Sequence, residues 1–170
     1  TSKPSGTTSS KPVTSTPASN SLLQNARKVL KYDIKGTPVE YFIIGDVVYL
    51  TLHTPNRLVV LDTNTGELLC NLDLPDEPGD LKRYGDEMWI SFPYMSQIRK
   101  YDIRTYEFKE TLDIGMEVSS FDVYGDYLFF ATHRQFTRVF RYNIKTGQSD
   151  IIVGLFEADL MVNAENNLIY

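Results

Sequence analysis

One feature restricts the fold of this chain more than any other: a repeat of about forty residues. "GDVVYL" at Gly45 recurs as "GDEMWI" at Gly85 and "GDYLFF" at Gly125, and a decayed copy, "NNLIY", begins at Asn166. A second anchor follows each Gly-Asp step: "LDTNTGE" from Leu61, "YDIRTYE" from Tyr101 and "YNIKTGQ" from Tyr142. A third precedes it, at Asp33, Asp73 and Asp113, and Pro38 and Pro78 keep the same interval. Three anchors in one period specify a small unit that buries its apolar faces by stacking on copies of itself.

Within each unit the pattern is that of strands. In the first, apolar runs at 41–44, 47–52, 58–61 and 68–74 are separated by Gly-Asp, a short loop and Thr-Asn-Thr-Gly. Gly-Asp and Asn-Thr-Gly supply the positive-φ positions of tight hairpins. Val, Ile, Leu, Tyr and Phe occupy successive positions rather than alternate ones, so both faces of each sheet are expected to be covered. Four such strands per unit describe a propeller blade. The expected fold is all-β: a β-propeller of four-stranded antiparallel blades, with about 3.5 blades present. The blades are expected over 39–74, 79–114 and 119–154, with a partial blade over 160–170. Residues 27–34 align with an outermost strand, as 67–74 do. Too few blades for a ring suggest the front half of a propeller of about seven blades, or two chains closing one ring.

The aromatic-rich strands "VVYLT", "EMWIS" and "YLFFA", followed by "VVLDTNTGELL" or "VFRYNIKTGQ", resemble YVTN-type and WD40-like β-propeller repeats. The resemblance covers roughly residues 26–170. The Gly-His and Trp-Asp pairs of true WD40 repeats are absent.

The first twenty residues, "TSKPSGTTSSKPVTSTPASN", hold no aromatic side chain. Such a stretch buries too little apolar surface to offset its ordering entropy, so residues 1–25 are predicted to be an extended linker. Ser/Thr/Pro tracts of this kind join modules of secreted and cell-surface proteins, which sets the expected location as extracellular and the source as bacterial. The net charge is −5 with no block of like sign, which argues against nucleic acid and anionic membrane as partners. No apolar run reaches the roughly 18 residues of a membrane span, so no insertion is expected. Cys70 is the sole cysteine and reads as a small packed residue.

Residues that recur in every unit are expected to serve the blade, and departures from the repeat to serve function. Asp33, Asp46, Asp73, Asp86, Asp113 and Asp126 therefore read as structural, their side chains bonding turn amides. The loop between the second and third strands departs most: "LHTPNR", "FPYMSQIR" and "THRQFTR". The resemblance implies that this loop shares a face with the blade-to-blade connections, a face that commonly binds ligands. The candidate ligand-binding residues are His53, Asn56, Arg57, Tyr94, Gln97, His133, Arg134 and Gln135. Planar polar groups beside an aromatic ring suit a glycan or a protein surface. No catalytic residue is assigned, since no Ser-His-Asp spacing, phosphate loop or nucleotide fingerprint is present. Two histidines without an adjacent carboxylate or cysteine do not make a metal set, so neither metal nor cofactor is expected there. Weak Ca²⁺ binding at Asp76, Glu77, Asp80 and Glu117 is the exception entertained.

The functional expectation is a non-enzymatic binding or scaffold module of a secreted or surface-attached multidomain protein, with a glycan or surface protein as partner. Two alternatives stand beside it. One is the front half of a propeller-type polysaccharide lyase or glycosidase. The other is a half-propeller that closes as a homodimer.

Overall fold

A computed structural model describes residues 34–132 and 138–154, together with the backbone of two short strands, Val162–Asn163 and Leu168–Ile169. The expected linker, nearly all of the strand expected over 27–34, and His133, Arg134 and Gln135 lie outside the described residues.

The described chain is built of antiparallel sheets whose strands follow sequence order. β1 (Thr37–Ile44), β2 (Val47–His53), β3 (Arg57–Asp62) and β4 (Leu68–Asp73) form the first sheet. β5 (Leu81–Tyr84), β6 (Glu87–Phe92), β7 (Gln97–Asp102) and β8 (Phe108–Asp113) form the second. β9 (Ser120–Tyr124), β10 (Tyr127–Ala131), β11 (Arg138–Asn143) and β12 (Ser149–Gly154) form the third. β13 (Val162–Asn163) pairs with β14 (Leu168–Ile169). The all-β, four-stranded antiparallel organisation expected from the repeat is the one observed.

The Gly-Asp step is the β1–β2 turn and its equivalents. Gly45, Gly85 and Gly125 hold φ of 57°, 59° and 60°. An added Cβ would meet nothing within 4 Å at any of them, so backbone conformation alone demands glycine. Of the aspartates expected to bond turn amides, Asp113 does so, its Oδ1 accepting from the Gly115 amide at 3.3 Å, but those beside these three glycines do not. It is the backbone carbonyls of Asp46, Asp86 and Asp126 that recur as acceptors, for the amides of Thr63, Ile103 and Ile144 at 2.7, 3.0 and 2.9 Å. The side chains of Asp86 and Asp126 instead face Arg104 and Lys145. The turn amides are bonded by the residue that closes the third strand. Asp62 Oδ1 accepts from the Asn64 and Thr65 amides, Asp102 Oδ1 from Arg104 and Thr105, and Asn143 Oδ1 from Lys145 and Thr146. These are Asx turns, for which a short side-chain oxygen two residues ahead of the amide is the requirement.

The sheets stack face on face. Tyr49, Leu58 and Val60 of the first pack with Met88, Ile90, Phe92 and Tyr101 of the second. The opposite face of the second sheet, with Trp89 and Ile98, packs on Phe121, Leu128 and Phe130 of the third. A sheet covered on both sides needs apolar residues at consecutive positions, which is why "MWISF" reads without alternation. Phe92, Phe121 and Phe130 are fully buried, each contributing about 2–3 kcal/mol through the area it removes from water. Lys100 joins this interior by laying its chain along Trp89, its Nζ 4.3 Å from the ring centre, and reaching Glu110 at 2.8 Å. Cys70 is half-buried against the first core, and burial pushes its thiol pKa up.

Candidate functional site: the loop face around linker 74–80

The segment between β4 and β5, "LPDEPGD" at 74–80, runs along one end of the first two sheets. Three contacts hold it there. The Leu74 amide donates to the Asn56 carbonyl at 2.9 Å. His53 Nδ1 lies 3.6 Å from Glu77 Oε2, so the end of β2 faces the linker. Further along, the Gly79 amide donates to the Ser91 carbonyl at 2.8 Å, and a Cβ on Gly79 would stand 3.0 Å from Pro93 Cγ. The β2–β3 loop of one sheet and the β6–β7 turn of the next therefore both abut a shared linker.

The candidate residues divide accordingly. His53 sits at the linker, its Nδ1 shut off from solvent and without a hydrogen-bond partner. Tyr94, in the 3₁₀ turn Pro93–Met95, is 76% exposed. Gln97 opens β7 with a buried Oε1 that has no partner. Asn56 contributes its carbonyl to Leu74, and the same bond recurs from Ile114 to Ser96, so that role belongs to the repeat. Arg57 pairs across the strands with Leu52, which puts it on the sheet face opposite His53, and its Nε holds Asp73 Oδ1 at 2.8 Å. The loop thus brings His53, Tyr94 and Gln97 to the linker end of the molecule, with Arg57 turned to the other face. The β2–β3 loop itself is sharply bent: Thr54 has φ of 55° and a cis bond to Pro55.

The acidic residues of the linker do not act together. Asp76 Oδ1 accepts from the Glu77 amide. Asp80 is buried, 6% exposed, and reaches across to the third sheet. Its Oδ2 accepts from the Phe121 amide at 3.0 Å and from Ser120 Oγ at 3.4 Å, while Lys82 Nζ stands 3.3 Å from Oδ1. Burial raises its pKa, with the Phe121 amide and the Lys82 charge opposing that rise. A buried carboxylate held partly toward its neutral form is the profile of a general acid. Both oxygens of Asp80 are nonetheless engaged by the protein, which makes it a latch between sheets. Among the described residues no group of three or more His, Cys, Asp or Glu is placed to hold a metal. None of their helices is long and apolar enough to cross a membrane.

A second latch lies four residues on. Tyr84, at the end of β5, donates its hydroxyl to Asp122 in β9 and accepts from the Val123 amide. Repeat reasoning missed both latches, because their equivalents differ between copies: Glu40 and Ser120 stand for Asp80, and Ile44 and Tyr124 for Tyr84. The available signal was a departure from the repeat at both positions, a carboxylate at the end of the linker and a tyrosine four residues later.

No protein-family model matches the chain, and no curated protein matches its sequence. Solved structures do match. A chain of a nidogen/laminin complex is similar with a TM-score of 0.62 and 11% identity, over 79% of this chain and 56% of that one. Sqt1 of Saccharomyces cerevisiae is similar with a TM-score of 0.58 and 17% identity, over 75% of this chain and 38% of that one. The architecture is a partial β-propeller. Its four-stranded sheets are blades, about three of them, in a WD40-like arrangement. A computationally designed protein, Ika4, is matched over 91% of its length and 81% of this chain, with a TM-score of 0.53 and 14% identity. At these identities the likeness is one of fold. The chain spans little more than half of the nidogen/laminin chain and less than half of Sqt1.

Proposed function

We propose that this partial propeller is a non-enzymatic binding and scaffold module, built from YVTN-type repeats, of a secreted or surface-attached bacterial protein. Its ligand is a glycan or another surface protein, met at the loop face around linker 74–80. The observation that carries this reading is the shared linker: it sets His53 of one blade and the Pro93–Met95 turn of the next against one segment. A ligand spanning both loops gains from a support already rigid before it binds. The exposed Tyr94 ring offers a stacking surface. Unpaired buried atoms on His53 and Gln97 are polar groups a ligand hydroxyl or amide would satisfy. The Ser/Thr/Pro-rich stretch at 1–25 supports the surface assignment.

The test is a glycan array probed with the labelled intact chain, repeated with His53→Ala and Tyr94→Ala. Saturable retention of a glycan class, weakened about tenfold by either substitution with an unchanged melting curve, is expected. No retained glycan ends the carbohydrate reading. Retention that ignores both substitutions moves the site elsewhere on the molecule.

A further inference from the structure

A groove opens between the first two blades, where Leu74 and Pro75 at the start of the linker face the third strand of the second blade and the turn that follows it. It encloses about 490 Å³, within the range of small-molecule sites, and its walls are mainly apolar. Leu72 and Leu74 line one side, and Tyr101, Tyr106 and Phe108 the other.

Three observations set it apart from ordinary inter-blade packing. Tyr106 stands where the sister turns carry Gly66 and Gly147, and it keeps their left-handed backbone, with φ of 63° against 77° and 71°. A bulky side chain takes that conformation only against a steric cost, and such positions gather at functional sites. Its ring faces the groove. Next, Arg99 lines the same groove with its guanidinium carbon 5.7 and 5.8 Å from the ring centres of Phe92 and Phe108. Its Nε is shut off from solvent with no acceptor, and no carboxylate of the described residues stands at ion-pair distance from it. Finally, two carboxylates also line the groove, Asp73, held by Arg57 at 2.8 Å, and Glu107, whose Oε2 accepts from Thr105 Oγ1 at 3.4 Å, and neither is paired with Arg99. The groove thus pairs aromatic walls with a cation that lacks a counter-ion.

We infer that this groove binds a small aromatic carboxylate, its ring against Tyr106 and Phe108 and its carboxylate on Arg99. Phe108, 55% exposed, leaves the entrance open to a ligand of this size. Arginine suits the task because its planar fork meets a carboxylate with two parallel bonds while its face stays on the rings. The neighbouring copies lack the combination: Val59 and Phe140 stand at the equivalents of Arg99, and glycine replaces Tyr106.

The probe is 3-phenylpropionate, titrated into the intact chain by two-dimensional NMR beside its neutral counterpart 3-phenylpropan-1-ol. Saturable shifts at Arg99, Tyr101, Tyr106 and Phe108 are expected, with the acid bound about tenfold or more tightly than the alcohol. Arg99→Met keeps an apolar stem under the rings and should erase that preference. Tyr106→Gly installs the residue the sister turns use, and should hold the fold while weakening binding about tenfold. Absence of saturable shifts up to about 10 mM, well above the range of specific ligands, overturns the inference. So does equal affinity for acid and alcohol, or unchanged binding to Tyr106→Gly.

Discussion

The Tyr84 hydroxyl donates to Asp122 Oδ1 at 2.5 Å, joining the first strand of one blade to the first strand of the next. The same oxygen accepts from the Val123 amide at 2.9 Å. Burial, then the Asp122 bond, pushes the phenol pKa far up, so the group remains a donor at every pH the fold survives. Tyr84→Phe keeps the ring against Trp89, 5.1 Å away, and removes only the oxygen. It removes the donor to Asp122 Oδ1 and one of the two acceptors of the Val123 amide, which keeps Asp122 Oδ1 at 2.8 Å, so a loss of about 1–2 kcal/mol is expected in urea unfolding. Tyr49→Phe removes a single 3.3 Å bond to the Ile103 carbonyl and should cost about 0.5–1 kcal/mol. Equal losses would show that the Tyr84 bonds are not special to the blade junction.

Asp80 makes a prediction about pH. Its folded pKa is raised by burial above the ordinary 3.8, so the folded state binds its proton more tightly than the unfolded chain does. Stability attributable to this group therefore falls as pH rises from about 3.8 through the raised value, and is level beyond it. Asp80→Asn keeps an acceptor for the Phe121 amide and removes the titration. The unfolding free energy of the parent minus that of Asp80→Asn should decline across this window and then stay constant. A difference that rises with pH would mean that the Phe121 amide and Lys82 outweigh desolvation.

Much of the fold was legible because the repeat expresses backbone requirements. Gly45, Gly85 and Gly125 need left-handed φ, and consecutive apolar positions such as Met88 to Ile90 need cover on both faces. Those demands act within one unit and recur in all. The turn-capping side chains were legible at Asp113 but misassigned in the hairpins, since Asp46 and Asp62 both border turns and only geometry separates a carbonyl from a carboxylate acceptor. Contacts between units left no trace in the period. Asp80 in the linker read as one of four acids for weak Ca²⁺ binding, whereas its partner amide belongs to Phe121 in the next blade. Arg57 and His53 looked like neighbours in one loop, yet strand pairing turns them to opposite faces.

The Asx turn at Asp102 gives a second pH signature, of opposite sign. Its carboxylate accepts first from the Thr105 amide and then from Arg104, which lowers its pKa from 3.8 to about 2. A depressed acid contributes stability that is complete above 3.8 and lost as pH falls toward 2. Asp102→Asn keeps the acceptor, as Asn143 does in the next blade, and abolishes the titration. The advantage of the parent over Asp102→Asn should be constant near neutrality and fade across that acid window. The carboxyl resonance of Asp102 should titrate with a midpoint of about 2. A midpoint at the ordinary value would mean that the turn bonds are not made in solution.

Gly79 tests whether the linker is the rigid support that the loop face requires. A Cβ there would lie 2.7 Å from Ser91 Oγ and 3.0 and 3.2 Å from two carbons of the Pro93 ring. Ser91 Oγ cannot easily yield, because it accepts the Asp80 amide at 2.8 Å, and the proline ring is stiff. Gly79→Ala should therefore destabilise the protein by about 1–3 kcal/mol as an overpacked site. Gly45→Asn is the matched control: its left-handed turn is open, and asparagine tolerates that conformation, so a loss below about 1 kcal/mol is expected. In Gly79→Ala the linker must shift from Pro93, which should change the amide shifts of Glu77 and His53 together although neither is substituted. A Gly79→Ala protein as stable as the parent, with those two resonances unmoved, would show that the linker does not couple the two loops.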